Sequence, residues 1–320
     1  MKGGLVQQVT AIIINYHQER LTERAVASVL ASEGVGVRVV LVDNASGGVW
    51  ARTTYGNQSQ IELVINPANI GFGAACNQGI ERALARGADF VFLLNNDATV
   101  EPDTLARLAV AAARTGLAAP KIHLADGRLY SAGGMVELRR ARCRNRGITE
   151  PDRGQYDETA QIPFASACAL LIARRALEGA QDAVRFYEPY FLYYEDADFC
   201  LRLARRGWRV SYVPAARALH LESASTPPER AAYLTYYNTR NRLIFLRRQG
   251  TLFDKLAGAP YLAGVTMVKM ARDLWNGRRG LAHGAWRGLL DGLTGRLGPW
   301  REDGLTRAGT NRAAPVSMKK

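Results

Sequence analysis

The sequence predicts an α/β fold in which a mostly parallel central sheet is flanked by helices. Short apolar runs recur along the first hundred residues, segments with apolar residues at helical spacing lie between them, and several runs end abruptly in polar residues. The strand segments are 9–14, 37–42, 61–65 and 89–94, and the helical segments are 21–32, 71–87 and 101–116. Because strand and helix alternate, we expect parallel strands joined by right-handed crossovers.

Beyond the fourth strand the pattern changes. Residues 137–157, rich in Arg and punctuated by Gly and Pro, predict a loop or mobile flap, whose contact with a substrate is left open. Residues 165–177 predict a strand that leads into a helix. Residues 195–207 predict a helix on whose surface Asp198 and Arg202 pair, four residues apart.

The chain is long enough for one large domain and an appendage. Its 320 residues, 48% of them hydrophobic, can bury a substantial core. We expect the domain to occupy residues 1–228, in two halves that meet near residue 120. Residues 229–300 predict amphipathic helices, and residues 301–320 predict a disordered basic tail.

The positive charge is concentrated toward the C-terminus. The formal net charge is +13, and residues 239–320 hold 16 Lys and Arg against 5 Asp and Glu. A basic segment of this kind favours phosphate groups, but it lacks an aromatic-and-basic RNA motif, so no nucleic acid is expected. Two interpretations of residues 239–300 stay open: an anionic membrane surface as partner, or a helical appendage packed on the domain.

The cysteines and apolar segments bear on the compartment. The four cysteines are widely spaced without a C-x-x-C pair, which argues against a zinc site and a disulfide framework. The first apolar run is too short for a signal peptide, and residues 252–270 contain Asp254, Lys255 and Pro260, which oppose a membrane span. We expect a cytoplasmic protein, either free or peripheral on the cytoplasmic face of the inner membrane.

Acidic residues mark three corners of the predicted fold. Asp43 ends the second strand, Asp97 follows the fourth, and Glu195 and Asp196 open a helix. Ligands of open α/β sheets bind beyond the carboxyl ends of the strands. One such acid can be a helix cap, but three corners indicate a common ligand. Carboxylate and amide oxygens suit Mg²⁺ or Mn²⁺ bound together with substrate phosphates.

Five stretches around these corners occur in an order typical of one family. They are INYHQ (14–18), VDNAS (42–46), NPANIGFGAACNQG (66–79), LLNNDATVEP (93–102) and FLYYEDADFCLRLARRGWRVSYVPAARALHLESAS (191–225). Together they resemble the inverting family 2 glycosyltransferases of the GT-A fold, in particular the bacterial rhamnosyltransferase-like branch. The resemblance implies a nucleotide-sugar donor bound by the first half of the domain and a saccharide acceptor bound by the second.

The resemblance also implies roles for single residues. The side chains expected to bind the nucleotide sugar are Asn15, Asp43, Asn69, Gly71, Asn77, Asn95, Asn96 and Asp97. Asp97 is similar to the last acid of the family's metal-binding D-x-D motif, whereas Asn95 stands at the first position and removes one charge. His220 is similar to a histidine that completes the metal shell in some relatives, with a packed or surface imidazole as the alternative. The expected cofactor is Mg²⁺ or Mn²⁺.

Asp196 resembles the catalytic base, and Glu195 is the alternative. A single in-line displacement needs one base for the acceptor hydroxyl and a cation for the leaving diphosphate. The resemblance favours dTDP-rhamnose as donor and a lipid-linked saccharide as acceptor, in the biosynthesis of a cell-envelope polysaccharide. UDP-hexose, UDP-galactofuranose and GDP-mannose stay open as donors.

Two other classes of protein compete with this interpretation. Gly71-Phe72-Gly73 suggests an NAD-dependent oxidoreductase, but Cys76 stands where the third glycine of the dinucleotide fingerprint belongs. A sugar-nucleotide-binding protein without catalysis is the second rival. The intact pair of Glu195 and Asp196 argues against it.

Overall fold

The computed structural model describes residues 6–178, 183–221 and 228–300. Its first half alternates strand and helix as predicted. The elements are β1 (Gln8–Asn15), α1 (Glu19–Leu30), β2 (Gly36–Asn44), α2 (Val49–Tyr55), β3 (Ile61–Asn66), α3 (Phe72–Ala85), β4 (Phe90–Asn95), β5 (Ala98–Val100) and α4 (Thr104–Thr115). The helix expected over 101–116 begins two residues after Pro102, because Asp103 takes the N-cap position.

The second half adds shorter strands. Its elements are β6 (Gly116–Leu124), β7 (Leu129–Ser131), β8 (Gly134–Glu137), β9 (Arg142–Asn145), β10 (Ala160–Ile162), β11 (Ala169–Ala173), α5 (Arg174–Glu178), α6 (Glu195–Arg205) and β12 (Arg209–His220). The expectation of a plain loop over 137–157 was wrong in part. β8 and β9 pair as an antiparallel hairpin, joined by a single 3₁₀ turn at Leu138–Arg140.

One large sheet organises the described residues. Its strand order is β10-β12-β6-β11-β4-β1-β2-β3, with β5 paired to β12 and β7 paired to β6. The strands β3, β2, β1 and β4 are parallel, as predicted. In the other half the sheet is mixed: β11 runs antiparallel to both β4 and β6, whereas β12 and β6 are parallel.

Helices cover both faces of this sheet. In β1, Ile12 packs into the core beneath α3 and α6, whereas Ile13 packs into the core beneath α1 and α4. Burial on both sides explains why the strands are nearly continuous apolar runs. It also explains why polar residues mark the strand ends so sharply, since a polar side chain within such a strand would have no water to face.

Residues 228–300 form three helices, α7 (Pro228–Gln249), α8 (Leu252–Trp275) and α9 (Arg279–Thr294). Gly284, Gly288 and Gly292, spaced four residues apart, let α9 lie directly against α7. A Cβ atom at Gly284 would come within 2.3 Å of the Ala232 carbonyl oxygen, so only glycine allows this approach.

This arrangement corrects one expectation about the basic region. The apolar residues 243–246 of α7 are buried in the main core, so they cannot face lipid. No helix within the described residues is long and apolar enough to cross a bilayer. The expected disordered tail, residues 301–320, lies outside the described part of the chain.

Candidate active site

The first corner lies where β1 and β2 end side by side, with Asn15 opposite Asp43. The Asn15 amide is fully buried and serves the protein: its Nδ2 donates to Ser46 Oγ (3.2 Å), and its Oδ1 accepts from Thr22 Oγ1 (2.9 Å). Asp43 Oδ1 accepts from the Ser46 backbone N–H at 2.9 Å. Asn15 therefore holds the loop around Asp43, and contact of either residue with a nucleotide stays a prediction.

The corner after β3 is held by side-chain amides. Asn69 Oδ1 accepts from the Gly71 backbone N–H (2.9 Å) and from Asn44 Nδ2 (3.0 Å). Gly71 has a φ of +89°, and a Cβ atom there would lie 2.8 Å from the Phe191 carbonyl oxygen. Gly71 is thus required both by its backbone conformation and by the close approach of the segment that precedes Glu195.

Asn77 on α3 also faces protein. Its Nδ2 donates to the Phe186 carbonyl (3.0 Å) and to Glu188 Oε1 (2.9 Å), and its Oδ1 accepts from the Phe186 N–H (2.8 Å). The side chain is buried, and both of its polar atoms are engaged. The structure gives Asn77 the role of tying α3 to residues 186–188, and a direct contact with the donor stays a prediction.

The Asp97 corner is assembled by strand pairing. β5 runs antiparallel to the end of β12, which places His220 opposite Ala98, and the Leu221 N–H donates to the Asp97 carbonyl at 2.7 Å. As a result, His220 Nε2 lies 3.3 Å from Asp97 Oδ1. The structure therefore brings together the two residues that the sequence proposed as metal ligands.

Two buried polar atoms at this corner are unsatisfied. Neither Asp97 Oδ1 nor His220 Nδ1 has a hydrogen-bond partner in the described part of the chain. Buried polar atoms are rarely left so, and an unsatisfied carboxylate oxygen beside an imidazole fits a divalent cation. Residues 6–178, 183–221 and 228–300 contain no group of three or more His, Cys, Asp or Glu placed to hold a metal, so these two residues leave positions for other ligands.

The neighbouring asparagines differ from each other. Asn96 Nδ2 donates to Gln18 Oε1 (3.2 Å) and to Thr22 Oγ1 (3.3 Å), which anchors the corner to α1. Asn95 ends β4, and its backbone N–H donates to the Cys168 carbonyl at 2.9 Å. Both side chains are half-buried. Asn95 lies at the strand end where the missing acid of the D-x-D motif would stand.

Tyr130 belongs to the site and was missed by the sequence analysis. Its ring stacks on the His220 ring, with centroids 4.4 Å apart and planes within 5°. Burial raises the pKa of the Tyr130 phenol, and the charges of Asp196 and Asp97 raise it further. Tyr130 therefore packs directly on the Asp97 corner, and the charge of Asp196 also acts on its phenol. It sits on the three-residue strand β7, too short for any pattern to reveal.

Glu195 and Asp196 open α6 in a largely dry environment. Burial raises the pKa of both carboxyls, and the charge of Asp196 raises that of Glu195 further. Asp196 accepts backbone N–H groups from Ala197 (2.7 Å) and Ala167 (3.4 Å), whereas Glu195 Oε2 is buried without a partner among the described residues. Hydrogen bonds of this kind favour the ionised form, so Asp196 ionises first.

The expected surface pair of Asp198 and Arg202 is instead buried. Asp198 is fully buried and accepts from Arg202 Nε (2.7 Å), Arg248 Nε (2.9 Å) and Gln249 Nε2. Burial alone would raise the pKa of Asp198, but the hydrogen bond from Arg248 and the charges of both arginines lower it. This network joins α6, which carries the acidic pair, to α7. The prediction of a solvent-exposed pair was wrong because it considered one helix alone.

The arginines of α7 point toward protein as well. Arg242 donates to the carbonyls of Ala141 and Arg140, and Arg247 donates to the carbonyl of Leu293. Both guanidinium groups are bound to backbone oxygens, although Arg247 stays exposed.

The fold and site together define a sugar transferase of the GT-A type. Residues 10–179 match the model of glycosyl transferase family 2, and the chain belongs to this family. It is a glycosyltransferase, as the sequence motifs predicted. The alternative of an NAD-dependent oxidoreductase is overturned by this match.

Sequence similarity to curated relatives extends beyond residues 10–179. The N-acetylglucosaminyl-diphospho-decaprenol L-rhamnosyltransferase of Mycobacterium tuberculosis is 29% identical over 257 residues, which cover 73% of this chain and 82% of the relative. The low-salt glycan biosynthesis hexosyltransferase Agl10 of Haloferax volcanii is 21% identical over 75% of this chain and 76% of its own length.

Solved structures support the fold. The mannosyltransferase PcManGT from Pyrobaculum calidifontis, in complex with GDP-Man and Mn²⁺, superposes with a TM-score of 0.55 at 15% identity, over 91% of this chain and 88% of its own. GalNAc-T7 with UDP, GalNAc and Mn²⁺ gives a TM-score of 0.51 at 14% identity, over 76% of this chain and 51% of its own. The predicted GT-A fold is confirmed.

Proposed function

We propose that this glycosyltransferase moves rhamnose from dTDP-rhamnose to a lipid-linked saccharide during the synthesis of a cell-envelope polysaccharide. The observation that carries the proposal is that residues 167–168 link two unlike acidic corners: the Ala167 N–H donates to Asp196, and the Cys168 carbonyl accepts the N–H of Asn95, two residues before Asp97. The choice of donor and acceptor is supported by the mycobacterial relative, whose name specifies rhamnose transfer to a saccharide on a decaprenyl diphosphate.

Asp97 and His220 are the residues that would hold Mg²⁺ or Mn²⁺. The unsatisfied Asp97 Oδ1 and the nearby imidazole supply two ligands, and donor phosphates with water can supply the rest. Such a cation offsets the negative charge that develops on a leaving diphosphate. The two structural neighbours, each described with Mn²⁺, are in keeping with this assignment.

Asp196 acts as the base in this proposal. Its two backbone N–H donors keep it ionised while Glu195 retains its proton, so Asp196 can accept the proton of the acceptor hydroxyl as that oxygen attacks the anomeric carbon. Glu195, neutral and adjacent, adds no second negative charge against the incoming hydroxyl. One base on the attacking side and a leaving diphosphate on the other make a single displacement.

The membrane contact is proposed for α8 rather than α7. An exposed apolar stripe recurs along α8 at every third or fourth residue: Phe253, Leu256, Pro260, Gly264, Met267, Ala271 and Trp275. Phe253, Leu256 and Trp275 are 60%, 69% and 91% exposed. Arg272 follows Ala271 of this stripe, and a cation near an anionic surface contributes about 1 kcal/mol. This surface would hold the site beside a lipid-linked acceptor.

The donor is tested by thermal unfolding of the full chain against dTDP-rhamnose, UDP-glucose, UDP-galactofuranose, GDP-mannose and NADH, with and without Mn²⁺. A ligand at 100 times its dissociation constant stabilises the protein by about 2.7 kcal/mol. We expect a Mn²⁺-dependent shift with dTDP-rhamnose, followed by transfer to a synthetic polyprenyl-diphosphate saccharide. A shift with another sugar nucleotide alone would replace the donor, and no shift with any of them would overturn the proposal.

The membrane surface is tested by sedimentation with phosphatidylglycerol vesicles. The triple variant Phe253→Ser, Leu256→Ser and Trp275→Ser should release the protein from the vesicles. Val49→Ser with Val110→Ser is the matched control, since these two valines are exposed on other helices, 73% and 63%, and should have no effect. Equal binding of both variants would place the contact elsewhere.

A further inference from the structure

The segment that leads into the acidic pair has an unusual backbone. Phe191, Tyr193 and Tyr194 have φ angles of 65°, 69° and 74°, in the left-handed region that bulky side chains avoid. Three such residues within four positions persist only where surrounding structure holds them, and such strain gathers at functional sites. Because α6 begins at the next residue, this turn sets the direction in which Glu195 and Asp196 leave the chain.

Asn241 on α7 donates hydrogen bonds to the carbonyl oxygens of this turn. The side chain is fully buried, and its Nδ2 lies 3.0, 2.6 and 3.1 Å from the carbonyl oxygens of Tyr190, Leu192 and Tyr193. An amide nitrogen carries two hydrogens, so at least one is shared between two of these oxygens. One side chain therefore bonds three of the four carbonyls from 190 to 193.

Arg240 orients that amide. Its Nε donates to Asn241 Oδ1 at 2.9 Å, which turns the oxygen toward the guanidinium and the NH₂ group toward the strained turn. Its Nη2 donates to the carbonyls of Tyr190 (2.7 Å) and Pro189 (3.2 Å), and its Nη1 donates to the Gly298 carbonyl. All of these acceptors are uncharged, although Arg240 is completely buried. These hydrogen bonds replace the water that the buried guanidinium has lost, and most of them go to the strained turn and to Asn241.

The turn is also held from the side of α3 and by aromatic rings. The Phe191 carbonyl accepts the N–H of Phe72, the first residue of α3, at 2.8 Å. The Phe191 ring stacks on Tyr237 of α7, with centroids 5.3 Å apart, and the Arg240 guanidinium lies 4.8 Å from that same Tyr237 ring. Thus α3, in the first half of the domain, and the C-terminal helix α7 both contact this short segment.

We propose that Arg240 and Asn241 are positioning residues for sugar transfer. They hold residues 190–194 in the left-handed turn and thereby aim Glu195 and Asp196, without touching donor or acceptor. Their link to transfer rests on the proposed function, whereas the hold on the turn is a property of the chain itself. It follows that α7 completes the active site, although it lies outside the 1–228 segment expected to form the domain.

Hydrogen exchange of the full-length protein tests the hold on the turn. Asn241→Asp keeps the size of the side chain but sets a carboxylate against three carbonyls. Asn238→Asp, an exposed position on the same helix, is the matched control. We expect the amides of residues 190–198 to exchange at least roughly 10-fold faster in the Asn241 variant, as loss of buried hydrogen bonds requires, and to be unchanged in the control. Equal protection in both variants would overturn the proposal.

Transfer kinetics test the positioning role. In Asn241→Asp, kcat should fall roughly 10-fold or more. The donor KM should stay within about twofold, because Asp97 and His220 are unchanged. The acidic limb of the pH profile of kcat should shift as well, and Asn241→Ser, which retains one hydroxyl donor, should recover part of the rate. Faster exchange with unchanged kcat would contradict the positioning role.

Two outcomes separate the proposals. If Asn241→Asp unfolds the whole chain, Asn241→Ser takes its place, with faster exchange of amides 190–198 and a lower kcat than the wild type expected again. Wild-type protection of these amides in Asn241→Ser would overturn the proposal that Asn241 holds the turn. Should the wild type transfer no sugar from any donor, the proposed function fails, while the exchange comparison still decides whether Arg240 and Asn241 hold the turn.

Discussion

The two acidic corners of this site are built in opposite ways. Asp97 lies at a strand end, its side chain is 18% exposed, and its buried Oδ1 lies beside the His220 imidazole without a hydrogen-bond partner among the described residues. Asp196 follows a strained turn, is half-buried, and accepts two backbone N–H groups. The Asp97 corner leaves a carboxylate oxygen open to a ligand, whereas the Asp196 carboxylate is already hydrogen-bonded within the protein. This difference is what we expect if Asp97 is to bind a cation and Asp196 is to accept a proton.

The corners also depend on different parts of the chain. The pairing of β5 with β12 is enough to bring His220 to Asp97. The position of Asp196 depends on α7, which reaches it through Asn241 and through the network around Asp198. A change in the C-terminal helices should therefore disturb proton transfer and spare donor binding. The following experiments act on one corner at a time.

The largest effect is expected from Asp196→Asn. The amide cannot accept the proton of the acceptor hydroxyl, so transfer should fall by roughly 10²- to 10⁴-fold. Donor affinity should be unchanged, because Asp97 and His220 are untouched. Initial rates together with calorimetric titration of the donor check both statements. Retained turnover would move the role of base to Glu195.

The next effect is expected from Asp97→Asn. The substitution keeps the shape of the side chain but removes the charge that a divalent cation needs, so the gain in donor affinity on adding Mn²⁺ should be lost. We expect at least about a 10-fold weaker donor, equivalent to about 1.4 kcal/mol. Asp103→Asn, at the half-exposed N-cap of α4, is the control. Mn²⁺-enhanced binding that survives in Asp97→Asn would sink the assignment.

Glu195→Gln should act on stability and in a pH-dependent way. The folded pKa of Glu195 is raised by burial, so the folded state keeps a proton that the unfolded chain releases near its ordinary pKa. The wild type therefore loses stability as pH rises through that window, and a glutamine does not. Between pH 6 and pH 8 the advantage of the variant should grow by roughly 1–2 kcal/mol. Urea unfolding at both pH values measures it, and a constant difference would contradict the buried proton.

The smallest effect is a displaced pH profile. Asp196 must be ionised to act as base, and burial raises its pKa. Transfer should therefore fall on the acid side around a midpoint at least about one unit above the ordinary Asp value of about 3.9. The pH dependence of kcat measures the midpoint. A limb close to the ordinary value would indicate an exposed carboxylate.

The sequence predicted the first half of the fold, from β1 to α4, well for a physical reason. Strands buried on both faces must be apolar throughout, so the polar residues that follow mark their ends, and Asp43 and Asp97 were located in this way. Strand direction has no such signature. The antiparallel course of β11 was therefore not foreseen, and neither was the pairing of β5 with β12 that this direction permits.

The C-terminal region shows what sequence patterns miss. Arginines on an amphipathic helix suggest a basic surface, because the sequence gives the charge of the helix but not the groups that contact each arginine in the fold. Arg240 turns inward because carbonyls of residues 189, 190 and 298 face it, and Asp198 is buried because Arg248 approaches from another helix. Tyr130 had no signal at all. These contacts depend on the assembled fold and on no local pattern.

The anomeric configuration of the product tests the central claim most directly. In the proposed mechanism, with one base at Asp196 and the leaving diphosphate at the Asp97 corner, transfer is a single displacement, so the new glycosidic bond should have the configuration opposite to that of the donor. Proton NMR of the first-formed product of the wild-type enzyme reads this configuration. Inversion is the predicted result. Retention would require a second displacement or attack from the face that the diphosphate leaves, and either would contradict the roles proposed for the two corners.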